Sequence, residues 1–186
     1  MSKAVFLGVL GCFIGIACVN DIAEIDALFD EGDAHVEVGT DIEILYSDSS
    51  FVRVRLKAPT LRRHIRRADQ RDEFPDGIHI DFLDRDGNVE STLDADKGER
   101  FPRTKKMIVY QNVVLRNNLG EVLETSELIW DESDQTASTT RFVKITKPDE
   151  VIYANGFETN SNFTEYQLYS VRGRVKINDM EKEFKN

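Results

Sequence analysis

The sequence predicts an all-β domain, a jellyroll or solenoid-like sandwich of stacked antiparallel strands. Three observations predict it. Apolar and charged residues alternate with a period of two along several runs, clusters of turn-forming residues bound those runs, and a turn–valine–strand unit recurs at similar spacing. No long helical pattern interrupts them.

The chain opens with MSKAVFLGVLGCFIGIACVND, in which the 14 residues 4–17 carry no charge. A membrane span needs about 20 apolar residues. This stretch is shorter, contains Gly8, Gly11 and Gly15, and fits the apolar core of a secretory signal behind Lys3. Its exit, Gly15-Ile16-Ala17-Cys18, resembles a lipobox, where the cysteine is acylated and residues 1–17 are removed as a signal peptide. Gly15 stands where a lipobox usually has Leu. Plain signal cleavage and an uncleaved anchor are the alternatives. The only cysteines are Cys12 and Cys18, so the mature chain would keep one, unable to form an internal disulfide or a thiolate cluster. A cysteine at a new N-terminus is best used as a lipid attachment point. Stable anchoring takes more than one acyl chain, and bacterial lipidation supplies several.

Acidic residues number 34 against 24 basic ones, for a formal charge of −10, or −11 once Lys3 is removed with the leader. Nucleic acid and anionic lipid would repel such a chain. A covalent anchor or a partner must therefore hold it at a membrane. Residues 18–186 are long enough for one domain with a core. Residues 18–39 are acidic and weakly patterned. Ile22, Ile25 and Phe29 share one side of a short helix there, and the segment reads as a tether.

From Thr40 the period becomes two, and residues 40–178 read as the β-domain. Ile42, Ile44 and Tyr46 alternate with polar neighbours, as do Val52, Val54 and Leu56; Ile78, Ile80 and Phe82; Val143 and Ile145; and Val171, Val175 and Ile177. One apolar and one charged face per strand describes an antiparallel sheet with one wet side. Asp81, between Ile80 and Phe82, falls on the wet face. Turn chemistry recurs at residues 47–50, 84–87, 117–120 and 147–150. Val89, Val122 and Val151 each follow such a turn, 33 and 29 residues apart, and Val52 lies 37 residues before Val89. Residues 179–186 form a short tail.

Five segments, in order, carry a family resemblance: "EILYSDSSFVRVRLKAPTL", "EFPDGIHIDFLDRDGNVESTLDADKG", "GEVLETSELIWDE", "FVKITKPDEVIYANGFETN" and "FTEYQLYSVRGRV". They resemble the LptC family, the periplasmic component of the lipopolysaccharide export transporter, in its Bacteroidetes-type lipoprotein form. The chain departs from the family at Gln111-Asn112-Val113, usually Gly-Asn-Val, and in the more basic "ERFPRTKKM". The resemblance implies a twisted, OstA-like β-jellyroll. It also implies a job: accepting lipopolysaccharide from the inner-membrane permease and ATPase, and passing it to a like-folded periplasmic bridge protein by edge-strand pairing. The location implied is the periplasm, with a lipid anchor in the inner membrane of a Gram-negative bacterium. The apolar faces then supply a lipid groove lined by Ile44, Val54, Leu56, Ile80, Phe82, Val143, Ile145, Val175 and Ile177, with residues 171–177 as the outgoing edge. An alternating apolar face is also what plain core looks like.

The run "LRRHIRRADQR" concentrates Arg62, Arg63, Arg66, Arg67 and Arg71 in an acidic chain. Leu61, Ile65 and Ala68 are at helical spacing and suggest a short amphipathic turn. Arginine suits phosphate, such as those of lipid A, or an acidic partner. The plainer reading pairs these arginines with Asp69, Asp72 and Glu73. Nothing points to catalysis or to a cofactor. His35, His64 and His79 show no metal-ligand spacing, and no phosphate-binding loop or Gly-x-Ser-x-Gly motif is present. A scaffold lipoprotein that binds no lipid, or a carbohydrate-binding β-sandwich, are the competing readings. Trp130 in "ELIWDE" is ambiguous between faces.

Overall fold

The computed structural model describes residues 35–48, 51–160 and 163–177. The leader, Cys18 and most of the tether lie outside the described residues, as does the tail. The described residues belong to one compact unit. They form twelve strands: β1 Val36–Asp48, β2 Phe51–His64, β3 Arg71–Phe74, β4 Ile78–Leu83, β5 Val89–Ala95, β6 Lys97–Phe101, β7 Lys106–Asn117, β8 Val122–Asp131, β9 Thr136–Thr146, β10 Glu150–Asn160, β11 Tyr166–Leu168 and β12 Val171–Lys176. All belong to one sheet, in the order β11-β10-β9-β8-β7-β5-β4-β2-β3-β6, with β1 beside β2 and β12 beside β10. Adjacent strands pair antiparallel throughout. The domain is the all-β, jellyroll-like fold that the alternation predicts.

A column of bends turns this one sheet into two facing layers. Asp41 in β1 and Gln111 and Asn112 in β7 have positive φ, as does Gly156 in β10. Registers slip at the same level, between Tyr110 and Val113, between Thr125 and Ile129, and between Asn155 and Phe157. Pro59 in β2, Gly77 before β4 and Asp96 between β5 and β6 continue the column; the Asp96 N–H donates to the Gln111 carbonyl at 3.0 Å. Inserted and left-handed residues bend a strand and release its ladder locally. Long strands therefore serve both layers. β2 pairs β4 through residues 54–57 and β3 through residues 62–64. β7 likewise pairs β5 at residues 114–117 and β6 at residues 106–110.

The front layer holds β4, β5 and β12, and the back layer holds β3, β6 and β11. Between them lies one core that includes Leu56, Phe74, Leu123, Leu128, Val143, Ile145 and Phe157. Its aromatic end stacks Phe157 edge-on to Phe163 at 5.6 Å. The front-layer turns carry the repeat: the valines Val89, Val122 and Val151 each stand at or next to the start of a strand that leaves a turn. Asp84 accepts the Asn88 side-chain amide at 2.9 Å and the N–H groups of Asn88 and Asp86 at 2.8 Å each, and these hydrogen bonds, the side-chain one first, lower its carboxyl pKa.

Two sequence expectations change. The sheet begins at Val36, not Thr40, because residues 36–40 pair with residues 60–64. That segment lies on an open edge with Val38 exposed, so its side chains show no period. Residues 61–68 form no helical turn either. β2 runs extended through His64, held between β1 and β3.

Candidate functional site

A cavity of about 580 Å³ lies between the layers. The front layer lines it with Val54, Leu56, Ile80, Phe82, Leu93 and Leu115, and the back layer with Met107, Val109, Leu128, Trp130 and Ala137. Phe82 and Trp130 meet across it with ring centroids 5.7 Å apart. Alternation along β2, β4 and β7 aims these side chains inward. The volume is that of a small-molecule site, about 300–1,000 Å³.

The mouth is polar. Tyr46, Arg53, Arg100, Glu132, Gln135 and Asn160 surround it. Arg100 is bound by Glu132 through two hydrogen bonds, at 2.8 and 3.4 Å, and lies 3.7 Å from the buried Asp72. Its guanidinium sits 5.2 Å from the Tyr46 ring centroid, a cation–π contact between β6 and β1. Burial raises the Tyr46 phenol pKa against the opposing effect of Arg100. Burial works against the Arg100 charge, but the Glu132 hydrogen bond together with the nearby Tyr46, Glu132 and Asp72 more than offsets it and the pKa is raised. Arg53 has no partner among the described residues, and it is half-buried at the mouth.

The residues expected to line a groove divide into three groups. Val54, Leu56, Ile80 and Phe82 line the cavity. Ile44 packs against the core, and Val143 and Ile145 are fully buried within it. Val175 does not face inward: it is 37% exposed on β12. Ile177 lies just beyond that strand and is half-buried. β12 is an edge strand paired, among the described strands, only to β10. Alternation missed Met107, Val109, Leu115 and Leu128, which a reading of β7 and β8 as strands would have included.

Arg62, Arg66 and Arg67 are exposed at the end of β2 and in the turn after it. Arg63 donates to Asp72 at 2.8 Å, as the plainer pairing predicts. Asp81 points to the outer face, as the alternation predicts, but is not wet there. It is 8% exposed, with Arg55 at 3.2 Å and His79 at 3.0 Å. His79 also meets Asp94 at 2.7 Å, and Arg116 meets Asp94 at 2.8 Å. This ladder of charges crosses β2, β4, β5 and β7 on the outer face of the front layer. Burial lowers the His79 pKa, but hydrogen bonds donated to Asp94 and Asp81, with the charges of those carboxylates, more than offset it, and the net shift is upward.

A second cavity, about 610 Å³, follows the outside of the bend column and is lined by Asp41, Lys57, Asp76, His79, Asp94 and Asp96 among others. No group of His, Cys, Asp or Glu among the described residues is placed to hold a metal ion. No described helix is long and apolar enough to cross a membrane.

No curated protein matches the chain. Residues 66–176 match the family model described as "Lipopolysaccharide-assembly, LptC-related". That range starts after β2 and ends with β12, and so covers most of both layers. The family is a component of lipopolysaccharide transport, not an enzyme family, and it associates with the transport machinery on the periplasmic side of the inner membrane. An antiparallel sheet folded over an apolar cavity, with this match over more than half its length, identifies the chain as a member of the LptC family.

Proposed function

We propose that the cavity between the layers is where this protein carries lipopolysaccharide, with acyl chains inside and the anionic headgroup at the mouth. The observation that carries the reading is the division of the site. Both walls carry apolar side chains, and the polar lining includes Arg53, without a partner among the described residues, and Arg100. Burying acyl chains yields about 25 cal/mol per Å² of apolar surface. A cation at the rim suits a phosphate. The process needs no covalent step, and binding must stay modest for the lipid to move on.

In this reading Cys18 carries the lipid anchor after removal of residues 1–17, and residues 18–34 tether the domain to the inner membrane. Lipopolysaccharide arrives from the permease and ATPase, whose ATP hydrolysis gives direction. It leaves toward a like-folded bridge protein that pairs with the free side of β12. Strand addition at an open edge is an established binding mode. The exposed Val171 and Val175 would then be covered by that partner.

The test is an in-cell photo-crosslink. A photoreactive residue replaces Phe82 in the cavity, and another replaces Lys57, exposed on the outer face of β2. Lipopolysaccharide adducts at position 82 and none at 57 are expected. Adducts at neither position, with the protein folded and membrane-bound, would leave the domain a scaffold.

A further inference from the structure

We infer that the β2–β3 and β6–β7 turns form a basic pad that seats the domain on an anionic phospholipid surface. Topology puts the two turns side by side. β3 pairs antiparallel with both β2 and β6, so β2 and β6 run the same way and their turns share one rim of the back layer. The turns are two strand spacings apart, about 10 Å.

Cations concentrate there. Arg62, Arg66 and Arg67 are exposed in and beside the first turn, and Arg103 and Lys105 in the second. Of the acids on this rim, Asp69 meets Arg71, Asp72 meets Arg63, Asp131 meets Lys106 and Glu132 meets Arg100, while Glu37 and Asp134 are exposed without an ion pair among the described residues and are outnumbered by the free cations. Arg62, Arg67, Arg103 and Lys105 have no partner among the described residues. The front-layer turns instead carry Asp84, Asp86 and Asp149.

Two further observations select a bilayer over an acidic protein. Ile65 stands among the arginines at the tip of the turn, 47% exposed, and Val38, paired with Arg62, is 66% exposed. Apolar side chains flanked by cations suit a lipid interface. The first described residue also lies here: the Ile65 N–H donates to the His35 carbonyl at 2.9 Å, so the sheet begins at this turn. The net charge of −10 opposes general adsorption. The pad therefore selects an orientation, and the attraction acts only within a Debye length of the surface. The inference does not depend on what fills the cavity.

The test uses the full chain with vesicles of phosphatidylcholine alone or mixed with phosphatidylglycerol. An environment-sensitive fluorescent amino acid is placed at Ile65 or, as control, at Leu119, 62% exposed in the β7–β8 turn. Quenching by nitroxide-labelled lipid reports contact. Expected is strong quenching at position 65 in mixed vesicles, at least halved in phosphatidylcholine alone or in high salt, and little at 119 in any vesicle. The combined variant Arg62→Gln, Arg67→Gln, Arg103→Gln and Lys105→Gln should lose the quenching at 65 while keeping its circular dichroism spectrum. Equal quenching at 65 and 119, quenching indifferent to phosphatidylglycerol and salt, or no contact in mixed vesicles would overturn the inference. The salt and lipid dependence is read on a chain that keeps all four cations, so the result stands even if the combined variant misfolds.

Discussion

Phe82 on β4 and Trp130 on β8 pack against each other across the interior, with ring centroids 5.7 Å apart and planes inclined at 55°. Their strands are not neighbours in the sheet. The pair therefore joins the two layers at the cavity, and its strength reports whether they are closed.

Truncating this contact should be costly. Phe82→Ala is expected to lose about 3–5 kcal/mol of stability, measured by urea unfolding. The double variant with Trp130→Ala should lose less than the sum of the single losses, by about 0.5–1.5 kcal/mol. Strict additivity would mean that the rings touch without coupling the layers.

The bend at Gly156 should tolerate no side chain. Its φ is +95°, and a Cβ there would come within 3.0 Å of the Tyr169 Cβ. Gly156→Ala should cost about 2–3 kcal/mol. Gly87 has a comparable φ of +85° but open space around it, so Gly87→Ala should cost about 1 kcal/mol. Equal denaturation midpoints for the two variants would show that backbone strain acts alone at both sites.

His79 should make stability depend on pH. Its folded pKa is raised by Asp94 and Asp81 despite burial. The stabilisation is thus complete below the unfolded value, about 6.5, and is lost as pH rises through the folded value. His79→Gln should flatten this dependence. The difference between the two proteins should be largest near pH 6 and fade in alkali, and should stay below about 1 kcal/mol because the ring is partly exposed. Melting temperatures across that range decide it. A difference that grows with pH would contradict the ladder.

Proline at two adjacent positions should separate the two sides of β12. The Ile177 N–H donates to the Asp149 carbonyl, and Val175 pairs with Val151, so the Val175 N–H points toward β10. Those of Arg174 and Lys176 point to the free edge. Val175→Pro should unpair β12 from its own sheet and destabilise the domain. Arg174→Pro should leave stability within about 1 kcal/mol while blocking strand addition by a bridge protein. Co-purification checks the second effect, and unchanged capture with Arg174→Pro would remove β12 as the docking edge.

The bend column explains which residues of the site were hidden. In β8 the inward side chains are Leu123, then Leu128 and Trp130; in β10 they are Ile152 and Ala154, then Phe157. Each series changes parity at the bend. A one-residue slip sends the next side chains to the other face. In the sequence, Leu128-Ile129-Trp130 therefore reads as an unphased apolar run, and Trp130 has no assignable face. Asp81 was placed on the right face but with the wrong exposure. Alternation turns it away from the core as expected, but Arg55 and His79 on the same outer surface cover it.

The sequence by itself determined the all-β class, the front-layer turns and valines, and the inward face of β2 and β4 at Leu56, Ile80 and Phe82. These are local properties, set by turn chemistry and by the two-residue repeat of an extended chain. Only the tertiary structure decided that the sheet folds over, that Phe82 meets Trp130, that Val175 stays exposed, and that two basic turns far apart in sequence share one rim. Those outcomes depend on which strands pair and where their ladders bend, and the pairing is set by contacts between residues distant along the chain.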